Sequence, residues 1–265
     1  MPVLGLGTWR MGENARRRAE ELDALKYGLD LGYPMIDTAE MYGEGGAEEI
    51  VGDALVGRST RPFIVSKVYP HNASRAGTIA ACERSLKRMR LERIDLYLLH
   101  WRGGARLEET FEAFQKLKSA GKIGDFGVSN FDLDDMEEAA GFDRGLTGTN
   151  QVLYCLSRRG PEFDLLPWMR KRSIPLMAYS PLDQGALLRE APLRKIADEV
   201  GCTPAQLALA WLLAQPGVVT IPKSASRERV KENFAALDVK LTPQILAELD
   251  RAFPPPRTKQ PLEML

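Results

Sequence analysis

Four polar residues fall at or just past the ends of three successive apolar runs. Asp37 and Tyr42 follow the run 33–36, Lys67 follows 63–66, and His100 follows 94–99. A free phenol, with a pKa of about 10, is a poor acid near neutrality, but an ammonium beside it favours the phenolate and lowers that pKa. Asp37 would hold Lys67 charged and in place, and the His100 imidazole would hydrogen-bond an oxygen and orient it. Together these groups suit protonation of an oxygen as a carbonyl is reduced. Taken singly, each has a plainer reading: a turn aspartate, a surface tyrosine beside glycines, a solvated lysine, a structural histidine. Their shared position at the ends of consecutive runs makes the set informative.

Such a set needs elements that bring its members together. Short apolar runs predict strands over 3–7, 33–37, 63–67, 94–100, 124–129, 148–152, 175–179 and 218–221. Amphipathic stretches between them predict helices over 16–31, 47–55, 75–88, 107–120, 132–140, 164–172, 203–214 and 227–237. Pro34 weakens the second strand. Within 75–88, Ile79, Cys82 and Leu86 recur at three- and four-residue steps and mark one buried face. Thr203-Pro204 reads as an N-cap followed by proline at the first helical position.

Eight strands alternating with helices predict an α/β fold with a parallel sheet closed into a (β/α)8 TIM barrel, whose strand carboxyl ends open onto one face. Two further helical pieces, 193–200 and 243–251, read as additions, and a short tail follows Phe253-Pro254-Pro255-Pro256. Nothing earlier resembles a linker, so residues 1–265 read as one domain. An open doubly wound sheet is the rival, but its phosphate loop is missing. Gly5-Leu6-Gly7 lacks the third glycine, and Gly43, Gly45 and Gly46 have the wrong spacing.

Composition narrows the functional classes. The length of 265 residues suits a barrel, and 44% hydrophobic with 27% charged residues is ordinary for a soluble globular protein. A net charge of 0, with no basic run longer than Arg16-Arg17-Arg18 or Arg170-Lys171-Arg172, argues against nucleic acid as a partner. Cys82, Cys155 and Cys202 are odd in number and unclustered, so they read as reduced thiols. With only His71 and His100 as histidines, no metal site is expected. No apolar run approaches the roughly 18 residues of a membrane span and no signal peptide precedes the first strand, so a cytoplasmic monomer without a membrane partner is expected.

The chain resembles the aldo-keto reductases along nearly its whole length. The resemblance is carried by Gly5-Leu6-Gly7-Thr8-Trp9, Asp37-Thr38-Ala39 with Tyr42, Ser66-Lys67, and Asp95-Leu96-Tyr97 with Leu99-His100-Trp101. It continues through Gly127-Val128-Ser129-Asn130-Phe131, Asn150-Gln151 and Ile221-Pro222-Lys223-Ser224. It implies a barrel that binds NADPH without a Rossmann fold, acts on a small carbonyl, and uses Asp37, Tyr42, Lys67 and His100 in the roles given above. It further implies that Ser129, Asn130 and Gln151 meet the nicotinamide carboxamide and that Tyr179 offers its ring face to the nicotinamide. Ser180-Pro181-Leu182 would lead into the pyrophosphate loop. Lys223, Ser224 and Arg229 would contact the 2′-phosphate, with Arg227 a weaker match, and Glu232 and Asn233 the adenine amine. Cations are unfavourable at a helix N-terminus, so a bound phosphate accounts for this basic cluster better than solvation does.

Trp9, Tyr69 and Trp101 match rim positions where the family places aromatics, although barrel-top packing would suit them equally. Only 102–106 separates Trp101 from the next helix, and the tail is short, which predicts a fairly open, polar pocket for small carbonyls. The branch most resembled is the bacterial one credited with reducing methylglyoxal and related α-dicarbonyls. A cofactor-sensing binding subunit of the same fold, with little turnover, is the alternative; a metal-dependent barrel hydrolase lacks clustered ligands. The chain departs from the family pattern twice. The segment Gly43-Glu44-Gly45-Gly46-Ala47 looks long enough to shift the Tyr42 ring, and the chain begins at the first barrel strand, without the usual β-hairpin.

Overall fold

Successive residues of a strand point to opposite sides of a sheet, so in a closed barrel one parity fills the interior and the other faces the helices. The structure, a computed structural model, describes residues 1–143 and 147–265. Eight parallel strands pair in sequence order: β1 (Leu6–Gly7), β2 (Met35–Asp37), β3 (Phe63–Val68), β4 (Ile94–Leu99), β5 (Ile123–Ser129), β6 (Asn150–Leu153), β7 (Leu176–Tyr179) and β8 (Val218–Thr220). The seam is closed by backbone hydrogen bonds from Gly5 to Thr220 (2.9 Å) and from Gly7 to Pro222 (3.0 Å). A Cβ at Gly7 would lie 2.8 Å from the Ile221 carbonyl oxygen, so the close approach there requires glycine.

The helices are α1 (Arg18–Leu31), α2 (Gly46–Leu55), α3 (Arg75–Met89), α4 (Leu107–Ser119) and α5 (Leu133–Asp143). They continue with α6 (Leu165–Lys171), α7 (Ala191–Val200), α8 (Pro204–Leu213), α9 (Arg227–Phe234) and α10 (Pro243–Ala252). Thr203 caps α8 with a full capping box to Gln206. Two segments that the periodicity reads as helix give way to 3₁₀ turns at one end. Asn14 caps a separate 3₁₀ turn over Ala15–Arg17 ahead of α1, and α9 tightens into a 3₁₀ turn over Ala235–Asp238. β2 begins only after Pro34, which lacks a ladder N–H but lends its carbonyl to Phe63 N at 2.8 Å.

Met35, Val65, Leu96, Leu98, Met177, Val219 and Ile221 form a buried cluster that plugs the barrel interior. The opposite parity, including Ile36, Ile64, Tyr97, Phe126 and Val152, joins the larger shell under the helices. Two residues further along the strands that supply Met35, Val65, Leu98 and Met177, the interior parity delivers Asp37, Lys67, His100 and Tyr179. The plug is therefore the floor on which the polar layer rests. Among the described residues, no helix is long and apolar enough to cross a membrane.

One buried carboxylate ties this layer to the shell. Glu48 on α2 is fully buried, accepting hydrogen bonds from Ser66 Oγ (2.6 Å) and from Arg88 Nε of α3 (2.6 Å). Ser66 immediately precedes Lys67, so Glu48 pins β3 where it delivers that lysine. Removing one partner of a buried pair typically costs about 3–5 kcal/mol. Arg88 keeps some solvent contact, which places Arg88→Ala near the lower end, about 3 kcal/mol by urea unfolding. A loss under about 1 kcal/mol would show that Glu48 finds another partner.

Candidate active site

Lys67 is completely buried, and an unpaired ammonium there would be untenable. Its Nζ donates to both oxygens of Asp37 (2.9 and 2.8 Å) and to the Thr38 carbonyl (2.8 Å), and lies 3.3 Å from the Tyr42 hydroxyl. Three protons thus serve four oxygens, and the longest contact is the one to the phenol. Burial pulls the Lys67 pKa down, while Asp37 and then Glu48 draw it back up.

The phenol behaves differently from the sequence expectation. Burial, aided by the negative charge of Asp37, holds the Tyr42 pKa well above its ordinary value. Lys67 does not offset this rise, because the ammonium is already largely neutralised at short range by a carboxylate that touches it twice. The glycine-rich segment after Tyr42 is absorbed in a 3₁₀ turn over Tyr42–Gly45, with Gly43, Glu44 and Gly45 at φ of 57°, 52° and 95°. This turn leaves the hydroxyl within reach of Lys67.

His100, just past β4, stands edge-on to Tyr42 with ring centroids 5.6 Å apart. Burial and the Lys67 charge push its pKa well below the usual histidine value, so the imidazole is neutral. Its Nδ1 is buried without a hydrogen-bond partner among the described residues, whereas the ring lines a cavity of about 330 Å³. An unmet acceptor is tolerated in a protein interior more readily than an unmet donor, so we assign the proton to Nε2.

The later strands supply a connected amide network. Ser129 Oγ donates to the Gln151 carbonyl (2.7 Å), and Asn130 Nδ2 donates to Ser129 Oγ and the His100 carbonyl (both 3.1 Å). Tyr179 donates its hydroxyl to Asn130 Oδ1 at 2.9 Å, and burial pushes its pKa up to about 12. Gln151 Nε2 donates to Asp37 Oδ1 at 2.7 Å, a link between the amide network and the lysine–aspartate pair that spacing gives no hint of. Tyr179 continues into the loop 180–185, where Ser180, Asp183 and Gln184 adopt φ of 46°, 48° and 51°, and Leu182 packs against the core.

Asp37, Tyr42, His100, Ser129, Asn130, Gln151, Tyr179, Ser180, Lys223, Trp9 and Trp101 all line the cavity. Lys67 sits behind Asp37 and Tyr42. Tyr69 is not brought to the wall. It packs edge-on behind Trp101 at 5.1 Å and against His71 at 3.9 Å, and the buried Glu40 accepts its backbone N–H at 2.7 Å. Ser224, Arg229, Glu232 and Asn233 lie beyond the cavity, in the turn after Lys223 and along α9. Ser226 caps that helix, and Arg229 is exposed with no ion pair among the described residues. Arg227 is turned away, over Tyr27 at 4.3 Å and 3.5 Å from Asp23.

Sequence reasoning missed Met41, Ile221, Met264 and Leu265, which also line the cavity. With Trp9 and Trp101 they make the rim largely apolar rather than polar. The tail does this by returning across the barrel mouth, a long-range placement with no local signal. Met41, immediately before Tyr42, could have been inferred from its neighbour.

The sequence profile of the Aldo/keto reductase family matches residues 3–253. Methylglyoxal reductase YeaE of Escherichia coli (strain K12) is 48% identical over 271 positions, covering 100% of this chain and 95% of that protein. Glyoxal reductase of Bacillus subtilis (strain 168) is 37% identical, covering 94% of this chain and 88% of that one. Among solved structures, the aldo-keto reductase from Klebsiella pneumoniae in complex with NADPH superposes with a TM-score of 0.96 at 49% identity, covering 100% of this chain and 95% of its own. With barrel, buried lysine and full-length similarity all in agreement, the chain belongs to the aldo/keto reductase family.

Proposed function

We propose that this protein reduces small aldehydes, ketones and α-dicarbonyls of the methylglyoxal type to alcohols with NADPH, and that Tyr42 donates the proton. The observation that carries the reading is Lys67 Nζ, bonded to both Asp37 oxygens and 3.3 Å from the Tyr42 hydroxyl at the cavity wall. The named activities of the similar reductases support the substrate class. The reading places a monomeric enzyme in the cytoplasm.

The residues present fit the dinucleotide. Lys223 is half-buried, and burial and then Arg17, with Arg10 adding to the effect, lower its pKa although Glu21 and Glu13 oppose them, so the ammonium would gain from further negative charge. A phosphate would supply it, and Arg229 and Ser224 stand on the adjoining turn with the helix N-terminus. Glu232 and Asn233 follow on the same helix for the adenine amine. Ser129, Asn130 and Gln151 present amide and hydroxyl groups for the carboxamide, Tyr179 its ring for the nicotinamide, and Ser180 and Leu182 begin the diphosphate loop. When bound, NADPH supplies the hydride equivalent for the carbonyl carbon.

The side chains manage the oxygen. His100, neutral and protonated at Nε2, donates one hydrogen bond that orients the carbonyl but is too poor an acid to give its proton up. Tyr42 stays protonated throughout the neutral range and so always has a proton to give. An alkoxide is a far stronger base than a phenolate, so transfer runs downhill once negative charge reaches the oxygen. Lys67 then stabilises the phenolate as it forms, and Asp37 keeps Lys67 in place. Trp9, Trp101 and Met41 wall the pocket, with Tyr69 bracing Trp101 from behind.

A panel of aldehydes and dicarbonyls followed by NADPH absorbance tests the reading. Tight NADPH binding without turnover would favour the cofactor-sensing alternative. Tyr42→Phe should lower kcat about 10²–10⁴-fold, roughly 3–5 kcal/mol, while leaving NADPH affinity within a factor of about 2 in a fluorescence titration. Near-wild-type turnover would remove Tyr42 from the mechanism. Across the panel, small activated carbonyls should have higher kcat/KM than steroids, because Trp9, Trp101 and the returning tail narrow the mouth; a steroid preference would contradict that. Arg229→Ala should weaken NADPH by about 10-fold or more, the worth of one charge-assisted hydrogen bond, and barely alter NADH. Equal losses for both cofactors would mean that Arg229 supports the fold instead.

A further inference from the structure

Arg158, in the segment after β6, grips two carboxylates from segments far apart in the chain. Its Nη1 donates to Glu263 Oε2 at 2.8 Å, and its buried Nε, which makes no hydrogen bond among the described residues, faces Asp183 Oδ2 at 3.4 Å as an ion pair. Asp183 sits inside the loop 180–185 and also accepts a hydrogen bond from Ser157 Oγ at 3.1 Å. Ser180, Asp183 and Gln184 are all left-handed there, a backbone that persists only where the surroundings fix it. Arg158 and Ser157 are part of those surroundings, with Leu182 packed on the core.

The other carboxylate belongs to the wall of the substrate cavity. Glu263 directly precedes Met264 and Leu265, which line the cavity although each is about half exposed (51% and 57%), and the Leu265 backbone comes against the Tyr179 hydroxyl. Upstream, Lys259 lies 3.5 Å from Asp164, and Leu262 packs on the core. Past Leu262, among the described residues, the Glu263–Arg158 pair is the one polar anchor made by a tail side chain, beside the Leu265 backbone contact to Tyr179.

We propose that Arg158 is a positioning residue for the substrate pocket, joining the tail wall 262–265 to the loop 180–185 so that ordering the loop also closes the pocket. The inference rests on the proposed reading of that loop as the cofactor's diphosphate holder. It implies a sequence of events: cofactor orders the loop, Asp183 fixes Arg158, and Arg158 then holds the wall through Glu263. The pair is partly exposed on both sides, so it is weak and salt-sensitive, and the wall opens readily when either arm is lost. Coupling of this kind is reciprocal, so substrate held by the wall tightens the loop in turn.

Hydrogen exchange of the full chain with and without NADPH tests this, in the wild type, Arg158→Met and Glu263→Gln. In the wild type, NADPH should slow exchange several-fold both in 180–185 and in 260–265. In Arg158→Met, which keeps an apolar stem, and in Glu263→Gln, the loop should still respond while the tail response disappears. The ratio of kcat/KM for a small against a bulky aldehyde should fall about 2–5-fold in both variants, as expected for loss of a weak pair. An NADPH-dependent tail response that survives in both variants, or a wild-type tail that does not respond while the loop does, overturns the coupling alone. No response in the loop itself overturns the loop assignment, and the coupling with it.

Discussion

An ammonium group with no solvent contact is the constraint around which this barrel is arranged. Lys67 is inserted between an apolar plug and the cavity, where leaving it unpaired would cost several kcal/mol. Asp37 answers that demand with two hydrogen bonds, and the Thr38 carbonyl supplies a third. Asp37 is itself held from the far side of the barrel by Gln151, whose strand end is bonded to Ser129 and Asn130. A single buried charge therefore links β2, β3, β5 and β6 at the level where the cavity begins. Glu48 makes the equivalent connection outward, through Ser66 to α2 and Arg88.

This arrangement decides how the phenol can act. A free lysine beside a tyrosine would make the tyrosine markedly more acidic; a lysine paired with Asp37 does so too little to offset burial, and the Tyr42 pKa is raised. On the proposed mechanism the proton is therefore kept at rest and released only when a strong base forms next to it. His100 is depressed by burial and by the same lysine, which fits it for orienting rather than protonating. Burial thus moves the two candidate acids in opposite directions, raising the phenol and lowering the imidazole, an effect that composition and spacing could not have indicated in sign.

Much of the site was legible because the interior parity of a strand is a local property. Asp37, Lys67, His100 and Tyr179 each end an apolar run, and each lies two residues beyond a plug residue. Eight runs separated by helical stretches were enough to suggest closure. What was not legible depends on long-range pairing. The run 3–7 pairs at its start with β8 rather than β2, so β1 is only Leu6–Gly7. Tyr69 has the right type at the right place, but Glu40 holds its backbone so that it backs Trp101. The tail reaches the cavity through Leu262 packing and Glu263 pairing with Arg158, contacts across about a hundred residues of chain. Loop length alone therefore predicted a polar mouth where the fold builds an apolar one.

The central claim is that Lys67 acts through Tyr42, and a double-mutant cycle on kcat/KM for a small aldehyde tests it most directly. If the two form one unit, Lys67→Met alone should cost nearly as much as Tyr42→Phe, and the double variant should be scarcely worse than either, since residues acting together are strongly non-additive. Losses that multiply would contradict the account, because they would assign Lys67 a contribution that does not pass through the phenol.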